Sequence, residues 1–376
     1  MKFAFSDDQT LLKNSARAAL DERCKPEQVR AAWTDPVGYD QALWGEMAKL
    51  GWLGLPFAEE QGGAGLGLVE LAIVLEELGR AAYPGPYFAT VVLGGLGLTL
   101  GGSAAQKEKW IPAIAAGDKR LTAALLEESL DWDPASTATT AAKAGAGWTL
   151  AGVKRFVPWA HVADGVLVPA RGPEGLTLFL VDPRAKGVTI KPLTGIDLGT
   201  RWSELRLDGV AVGAADVVGQ PGAAGPLLEA LLRRAAVCAS AEMLGAARRC
   251  LDMGVGYAKV REQFGQLIGS FQAIRHRLAE MLVEVENGFG AVYYAAWHLQ
   301  AGTEDAAMAA SVCKSFVSEA ARRVCSDAIQ VHGGIGFTWE YDLHLYFKRA
   351  KSLEVLFGDA EYHREQVLRH YLATAR

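Results

Sequence analysis

Tyr257-Ala258-Lys259-Val260-Arg261-Glu262-Gln263-Phe264-Gly265-Gln266, followed after Leu267 by Ile268-Gly269-Ser270-Phe271-Gln272-Ala273-Ile274-Arg275-His276, is the most informative stretch of the chain. Its spacing predicts a helix that ends in Arg261, a glycine-containing turn, and a second helix that starts at Ser270. An arginine at a helix end beside a tight turn can present its planar fork to a phosphate. The free N–H groups and positive dipole end of the next helix favour the same anion. Read without its surroundings, Arg261 serves equally well as a cap for the last carbonyls of its own helix.

Downstream, Gln330-Val331-His332-Gly333-Gly334-Ile335-Gly336-Phe337-Thr338 sets three glycines within four residues at a helix end. Such a loop lets a cofactor touch the backbone, and a plain glycine C-cap reads as well in isolation. No strand precedes it, so it is neither a Walker loop nor a dinucleotide-binding fingerprint.

From Asp7 to about Gly117 apolar residues recur at helical spacing, as from Leu68 to Leu78, with Gly62-Gly63-Ala64-Gly65 and Tyr83-Pro84-Gly85-Pro86 as turns. Near Leu121 the period falls toward two. TATTAAKAGAGWTLAGVKRFV, DGVLVPARGPEGLTLFLVD and ELRLDGVAV read as short antiparallel strands. Gly145-Ala146-Gly147 and Gly172-Pro173-Glu174-Gly175 suit hairpin turns between them, and a small barrel or sandwich is expected. Beyond Gly225 the helical period returns over Leu227 to Lys259, Phe271 to Ala301, Asp305 to Val331 and about Asp359 to Ala373, four helices whose apolar stripes suit a bundle. The expected fold is α+β: a helical domain over 1–118, a middle β-barrel domain over 119–224, and a C-terminal four-helix bundle over 225–376.

Composition narrows the function. At 376 residues the chain is too long for a single hydrophobic core, and 50% hydrophobic with 22% charged residues excludes disorder. A formal charge of -5 leaves no basic stripe for nucleic acid, because Arg233-Arg234, Arg248-Arg249 and Arg322-Arg323 lie inside helical patterns. The start, MKFAFSDDQT, lacks the apolar core of a secretion leader, and no apolar run reaches the roughly 18 residues that a bilayer span needs. A cytoplasmic protein, with neither a membrane nor a nucleic acid as partner, is expected. Cys24, Cys238, Cys250, Cys313 and Cys325 stand singly, without zinc-ligand spacing, so buried thiols and no metal are expected.

Together and in this order, the two glycine-bearing segments resemble the acyl-CoA dehydrogenase family, whose members carry Arg-x-x-Phe-Gly, a Phe-Gln-x-x-x-His-like helix start, and Gln-x-x-Gly-Gly. The resemblance covers nearly the whole chain, including Gly-Trp-Leu-Gly-Leu-Pro at 51–56 and Glu-Glu-Leu-Gly-Arg at 76–80. His-Gly-Gly-Ile-Gly-Phe-Thr-Trp-Glu, from His332 to Glu340, looks closest to the branch acting on CoA thioesters of steroid side chains and other bulky acids. The resemblance implies FAD-dependent α,β-dehydrogenation of an acyl-CoA thioester, with electrons passing to an electron-transfer flavoprotein. It also implies a homodimer, a homotetramer, or a heterotetramer with a related chain, with FAD between subunits. Arg261, Phe264 and Gln272 would hold the pyrophosphate and adenine side, and Gln330, Gly333 and Gly334 would line the same cofactor.

In that reaction a carboxylate removes the weakly acidic proton next to the thioester carbonyl while hydride leaves the neighbouring carbon for the flavin. Aligning Lys348-Arg349-Ala350-Lys351 with the family's Arg-Asp-Ala-Lys run puts Phe357, followed by Gly358, where the family usually has its glutamate. The family's second location for the base falls on Ala235. Two carboxylates remain nearby. Glu242 lies among small and apolar residues, where desolvation would strengthen it as a base, and Asp359 follows Gly358. Each has a plain alternative: pairing with Arg248, Arg249 or a partner chain for Glu242, and an N-cap for Asp359. The middle domain departs as well. Leu126-Glu127-Glu128-Ser129-Leu130-Asp131-Trp132-Asp133 stands where most members have Thr-Glu-Pro followed by Gly-Ser-Asp, and Phe156-Val157-Pro158 replaces the flavin-facing Trp-x-Thr. Pro158 offers a flavin neither a hydroxyl nor an N–H. Three readings follow: an active dehydrogenase using Glu242, Asp359 or a carboxylate from a second subunit as base; a non-catalytic subunit that lends Arg261, Gln272 and the Gln330 loop to a partner's FAD; and another flavin reaction on the same fold, such as an oxidase or an Asp-based dehydrogenase of cyclic thioesters.

Overall fold

The structure, a computed structural model, describes residues 4–374; Met1–Phe3, the first part of the stretch read for a leader, lie outside it. Ser6 opens α1 (Asp7–Arg23): its hydroxyl accepts from Gln9 N at 3.1 Å, and the Gln9 side chain accepts from Ser6 N at 3.0 Å. Two N–H groups without a helical carbonyl are thereby satisfied reciprocally. There follow α2 (Pro26–Thr34), α3 (Gln41–Lys49), α4 (Leu68–Arg80), a π-helix over Phe88–Gly95 that runs into α5 (Leu96–Gly101), and α6 (Ala104–Ala115). The strands are β1 (Leu121–Ala123), β2 (Thr140–Ala144), β3 (Gly147–Pro158), β4 (Gly165–Gly172), β5 (Gly175–Val181), β6 (Val188–Leu193), β7 (Trp202–Val212) and β8 (Val217–Val218). After α7 (Ala224–Ala258) come the short strands β9 (Glu262–Gln263) and β10 (Gln266–Leu267), then α8 (Gln272–Ala301), α9 (Ala306–His332), α10 (Leu343–Glu354) and α11 (Ala360–Thr374). No helix among the described residues is long and apolar enough to cross a membrane.

By internal packing the chain forms two compact units. Among the described residues, one comprises those up to Ala31, Leu68–Tyr83 and those from Ala236; the other comprises Ala32–Gly67 and Pro84–Ala235. The second unit holds the eight-stranded sheet, paired in the order β6-β7-β3-β2-β4-β5-β8 with β1 alongside β4. The expected hairpin turns are present: Ala144 pairs with Gly147, and Gly172 with Gly175, so each connection is two residues long. Closure is not present. Among the described residues the end strands β6 and β8 do not pair with each other, so the expected barrel is an open sheet. β8 has two residues, too few to carry a ladder round to β6. One face buries Trp148, Leu150, Val157, Phe179, Leu205 and Val210 in a common core.

The helical unit is held by a close crossing of α4 and α7. A Cβ at Gly79 would sit 1.9 Å from the Glu242 carbonyl oxygen, and one at Gly245 would sit 1.8 Å from that of Glu76. The two backbones therefore touch where each helix carries a glycine. Beside this crossing Glu76 and Glu77 are buried carboxylates. Glu76 accepts from Lys13 at 2.9 Å and from the Tyr293 hydroxyl at 2.6 Å, and Glu77 takes two bonds from Arg17 at 3.0 and 2.8 Å. The four long C-terminal helices are joined by α10, a helix absent from the sequence reading. Its buried stripe of Leu343, Tyr346, Ala350 and Leu353 is masked in the sequence by interleaved charged residues.

Candidate active site

The Arg261 segment folds more tightly than its spacing predicts. α7 ends at Ala258, not at Arg261, and Val260 N and Arg261 N both donate to the Tyr257 carbonyl, at 3.1 and 2.9 Å. β9 and β10 then pair Gln263 with Gln266, leaving Phe264 and Gly265 as a two-residue tip with φ of +55° and +78°. Glycine takes this left-handed conformation freely; phenylalanine takes it at a cost. The Phe264 ring stands 93% exposed, edge-on to Phe271 at 6.2 Å. Ile268 N donates to the Arg261 carbonyl at 2.8 Å and closes the hairpin. One helical turn over Ile268–Ser270 intervenes, so α8 starts at Gln272 instead of Ser270.

The glycine turn lies at the same end of this unit. Gly333, with φ +64°, caps α9, its N–H donating to the carbonyls of Gln330 and Ile329. A Cβ on Gly333 or Gly334 would meet nothing within 4 Å, whereas one on Gly336 would meet His332 and the Ile329 carbonyl at 2.8 Å. Gly336 is thus required by packing, and the first two glycines leave bare backbone facing open space. Packing joins this turn to the Arg261 segment: Tyr257 stacks on His332 with centroids 4.4 Å apart, and Ala258, Ile268 and Val331 share one buried cluster. Arg261, Phe264, Gln272, Gln330, Gly333 and Gly334 are all exposed. Among the described residues the Arg261 guanidinium has no hydrogen bond or ion pair. A guanidinium without a partner, a helix start with free N–H groups and a backbone surface without side chains fit the pyrophosphate and flat rings of FAD.

The positions considered for the base look different. Phe357 is buried, with φ +60°, and Ala235 is wholly buried. Glu242 is also buried, but its Oε1 accepts from Arg349 Nη1 at 2.5 Å, while Arg349 Nη2 donates to the Tyr83 carbonyl at 3.1 Å. Arg349 is thus a partner that the sequence did not suggest, while Arg248 reaches Glu76 and Glu286. Asp359 is exposed, and its carboxylate accepts from Tyr362 N at 2.9 Å as the N-cap of α11.

Two residues overlooked in the sequence reading hold the turn around Phe357. Lys314 Nζ, fully buried, donates to Ser318 Oγ at 2.9 Å and to the carbonyls of Glu354 and Gly358 at 2.8 and 2.9 Å. Burial pushes its amine down to about 7, against the opposing pull of Cys313, Glu354 and Asp359. His363 Nε2 donates to the Phe357 carbonyl at 2.8 Å, and burial followed by the nearby Lys314 pushes its ring down to about 4.

In the sheet unit, the bulge in β3 between Lys154 and Val157 turns Phe156 outward, with φ +51°, 41% exposure and its ring edge-on to Trp202 at 6.5 Å. Pro158 contributes a carbonyl to Thr122 Oγ1 at 2.7 Å. Behind it the fully buried Lys154 bonds Glu127 at 2.6 Å. Glu127 also accepts from Ala138 N, Thr139 N and Thr139 Oγ1, and so clamps the base of the divergent 127–139 loop.

Comparison with known proteins gives the family. The N-terminal, middle and C-terminal domains of acyl-CoA dehydrogenases match residues 6–118, 122–210 and 226–372. The acyl-CoA dehydrogenase IpdE2 of Mycolicibacterium smegmatis is 34% identical over 97% of this chain and 98% of its own. Among solved structures, a Tcur3481-Tcur3483 steroid ACAD variant superposes with a TM-score of 0.90 at 33% identity over 98% of this chain and 99% of that one. The ChsE4-ChsE5 complex from Mycobacterium tuberculosis superposes at 0.91 with 31% identity over 99% of both chains. The chain belongs to the acyl-CoA dehydrogenase family, FAD-dependent oxidoreductases that act on a CH–CH bond.

Proposed function

We propose that this chain takes part in α,β-dehydrogenation of a bulky or steroid-derived acyl-CoA thioester as the subunit that supplies the nucleotide side of an FAD site, while a related chain supplies the proton-abstracting carboxylate. The observation that carries this is the Glu242–Arg349 ion pair at 2.5 Å. A base must hold a lone pair free for the substrate, and this carboxylate is already held by a buried guanidinium. Asp359 is occupied with its helix, and the hydrocarbon ring of Phe357 has no site for a proton. Pairing of two chains is supported by the relatives named the ChsE4-ChsE5 complex and the Tcur3481-Tcur3483 steroid ACAD.

FAD, when bound, accepts the hydride that leaves the carbon β to the thioester. Towards it the Arg261 guanidinium neutralises pyrophosphate charge, the Gln272 and Gln330 amides offer directional hydrogen bonds, and Gly333 and Gly334 let the cofactor approach the backbone. An electron-transfer flavoprotein is the proposed acceptor, cytoplasmic location is proposed with it, and the division into domains at 1–118, 119–224 and 225–376 is retained as part of the same reading. A self-sufficient enzyme using Glu242 is the second reading, and the apolar surroundings of that residue favour it.

The cofactor assignment is tested by Arg261→Ala. Loss of a charge-assisted hydrogen bond of about 1.5–3 kcal/mol lowers FAD affinity about ten- to a hundredfold, read as flavin content after gel filtration. Unchanged flavin content would remove Arg261 from the site.

A further inference from the structure

His332 is the last residue of α9 and is 4% exposed. Its Nδ1 donates to the Ala328 carbonyl at 2.7 Å, so in the neutral ring Nε2 is a bare acceptor. That Nε2 is buried and has no hydrogen-bond partner among the described residues. The ring is held between two tyrosines: Tyr257 stacks on one side at 4.4 Å and 23°, and Tyr341 leans on it at 5.0 Å and 53°. Two links lead from this stack to the candidate FAD cradle. The Tyr257 carbonyl receives the N–H of Arg261, and Gly333, the residue after His332, begins the glycine turn.

We propose that His332 is the positioning residue of the nucleotide end, its neutral ring setting the Gly333-Gly334 turn against the segment that carries Arg261. The proposal rests on the FAD assignment above and adds an acid-sensitive joint to it. A second proton on the ring would place a charge and a new N–H donor in a buried stack that offers neither an acceptor. The titratable side chains against the ring are Tyr257 and Tyr341, and among the described residues the Ala328 carbonyl is the one polar contact that favours the charged form. Burial accordingly lowers the ring below the usual histidine value, with the Ala328 contact partly opposing. The stack is closed at neutral pH and opens as the medium becomes acidic.

The test is FAD release from the purified holoprotein, followed by the fluorescence of freed flavin between about pH 8 and about pH 5. The wild type should release flavin at least about tenfold more readily at the acid end. His332→Phe keeps a ring in the stack and removes the titrating nitrogen. It should flatten the pH profile and retain flavin better at pH 8 than His332→Ala does. A wild-type acid profile in His332→Phe, or wild-type retention in His332→Ala, overturns the proposal. If the phenylalanine variant does not fold, Tyr257→Leu, which breaks the stack and leaves the histidine, should release flavin at pH 8; full retention overturns the proposal equally. Arg261→Ala, run alongside, separates the two levels: flavin retained in that variant rejects the cradle itself, and flavin lost there with no effect at His332 rejects only the joint.

Discussion

Glu242 and Lys314 show how differently two buried charges can be used. Glu242 shares its burial with Arg349, so Glu242→Gln leaves a guanidinium without its counter-ion and should cost about 3–5 kcal/mol in urea denaturation. Thioester-driven flavin bleaching by the assembled enzyme should persist in that variant; abolished bleaching with normal stability would restore Glu242 as the base. Among the described residues no carboxylate forms an ion pair with Lys314, which meets carbonyls and a hydroxyl, and burial outweighs the pull of Cys313, Glu354 and Asp359, so its amine falls from the usual 10.5 to about 7. Between those values the unfolded chain holds a proton that the folded chain has released, and the folded state gains on the unfolded as pH rises. The contribution is complete above 10.5 and is lost as pH falls toward 7. Denaturation midpoints of the wild type should therefore climb relative to Lys314→Met from pH 7 to 9, and parallel profiles would contradict the assignment. Lys314 was legible in the sequence, since it falls on the helical stripe of Ala310, Val317, Ala321, Val324 and Ala328. Within Asp305 to Val331, read as one helix with an apolar stripe, a single lysine leaves the period intact and so draws no attention. Arg349 as the partner of Glu242, 107 residues away, follows from no local spacing.

Among the elements, those with short-range causes were readable. The β2–β3 and β4–β5 hairpins declare themselves through glycines at their turns, and the long helices through unbroken apolar periods. Closure of the sheet depends on whether β6 and β8 meet, a long-range event that no turn encodes. α10 was missed because Lys348, Arg349 and Lys351 interrupt its stripe, although Arg349 is itself buried. The α4–α7 crossing belongs to this scale too: Gly79 and Gly245 give no signal in their own helices and matter only where two backbones meet. Gly245→Ala forces a Cβ to within 1.8 Å of the Glu76 carbonyl, so the helices must separate. The expected loss is about 1–3 kcal/mol or more by denaturant unfolding, and a loss below about 0.5 kcal/mol would mean the crossing yields easily.

At the scale of the whole molecule, the order of motifs along one chain was enough to indicate the fold and to propose an FAD-binding end, because Arg261, Gln272 and Gln330 need only their own segments to be recognised. The missing base is a different matter. Whether a second chain supplies a carboxylate is written in that chain, and here it shows only as Phe357 and the two committed acids. The most direct measurement is an anaerobic titration of the FAD-loaded protein, purified alone, with short, branched and steroid-side-chain acyl-CoA thioesters, repeated after addition of a related chain that carries the glutamate. A flavin spectrum that stays oxidised with every thioester in the first titration and bleaches in the second is the predicted result; full bleaching by this chain alone would contradict it.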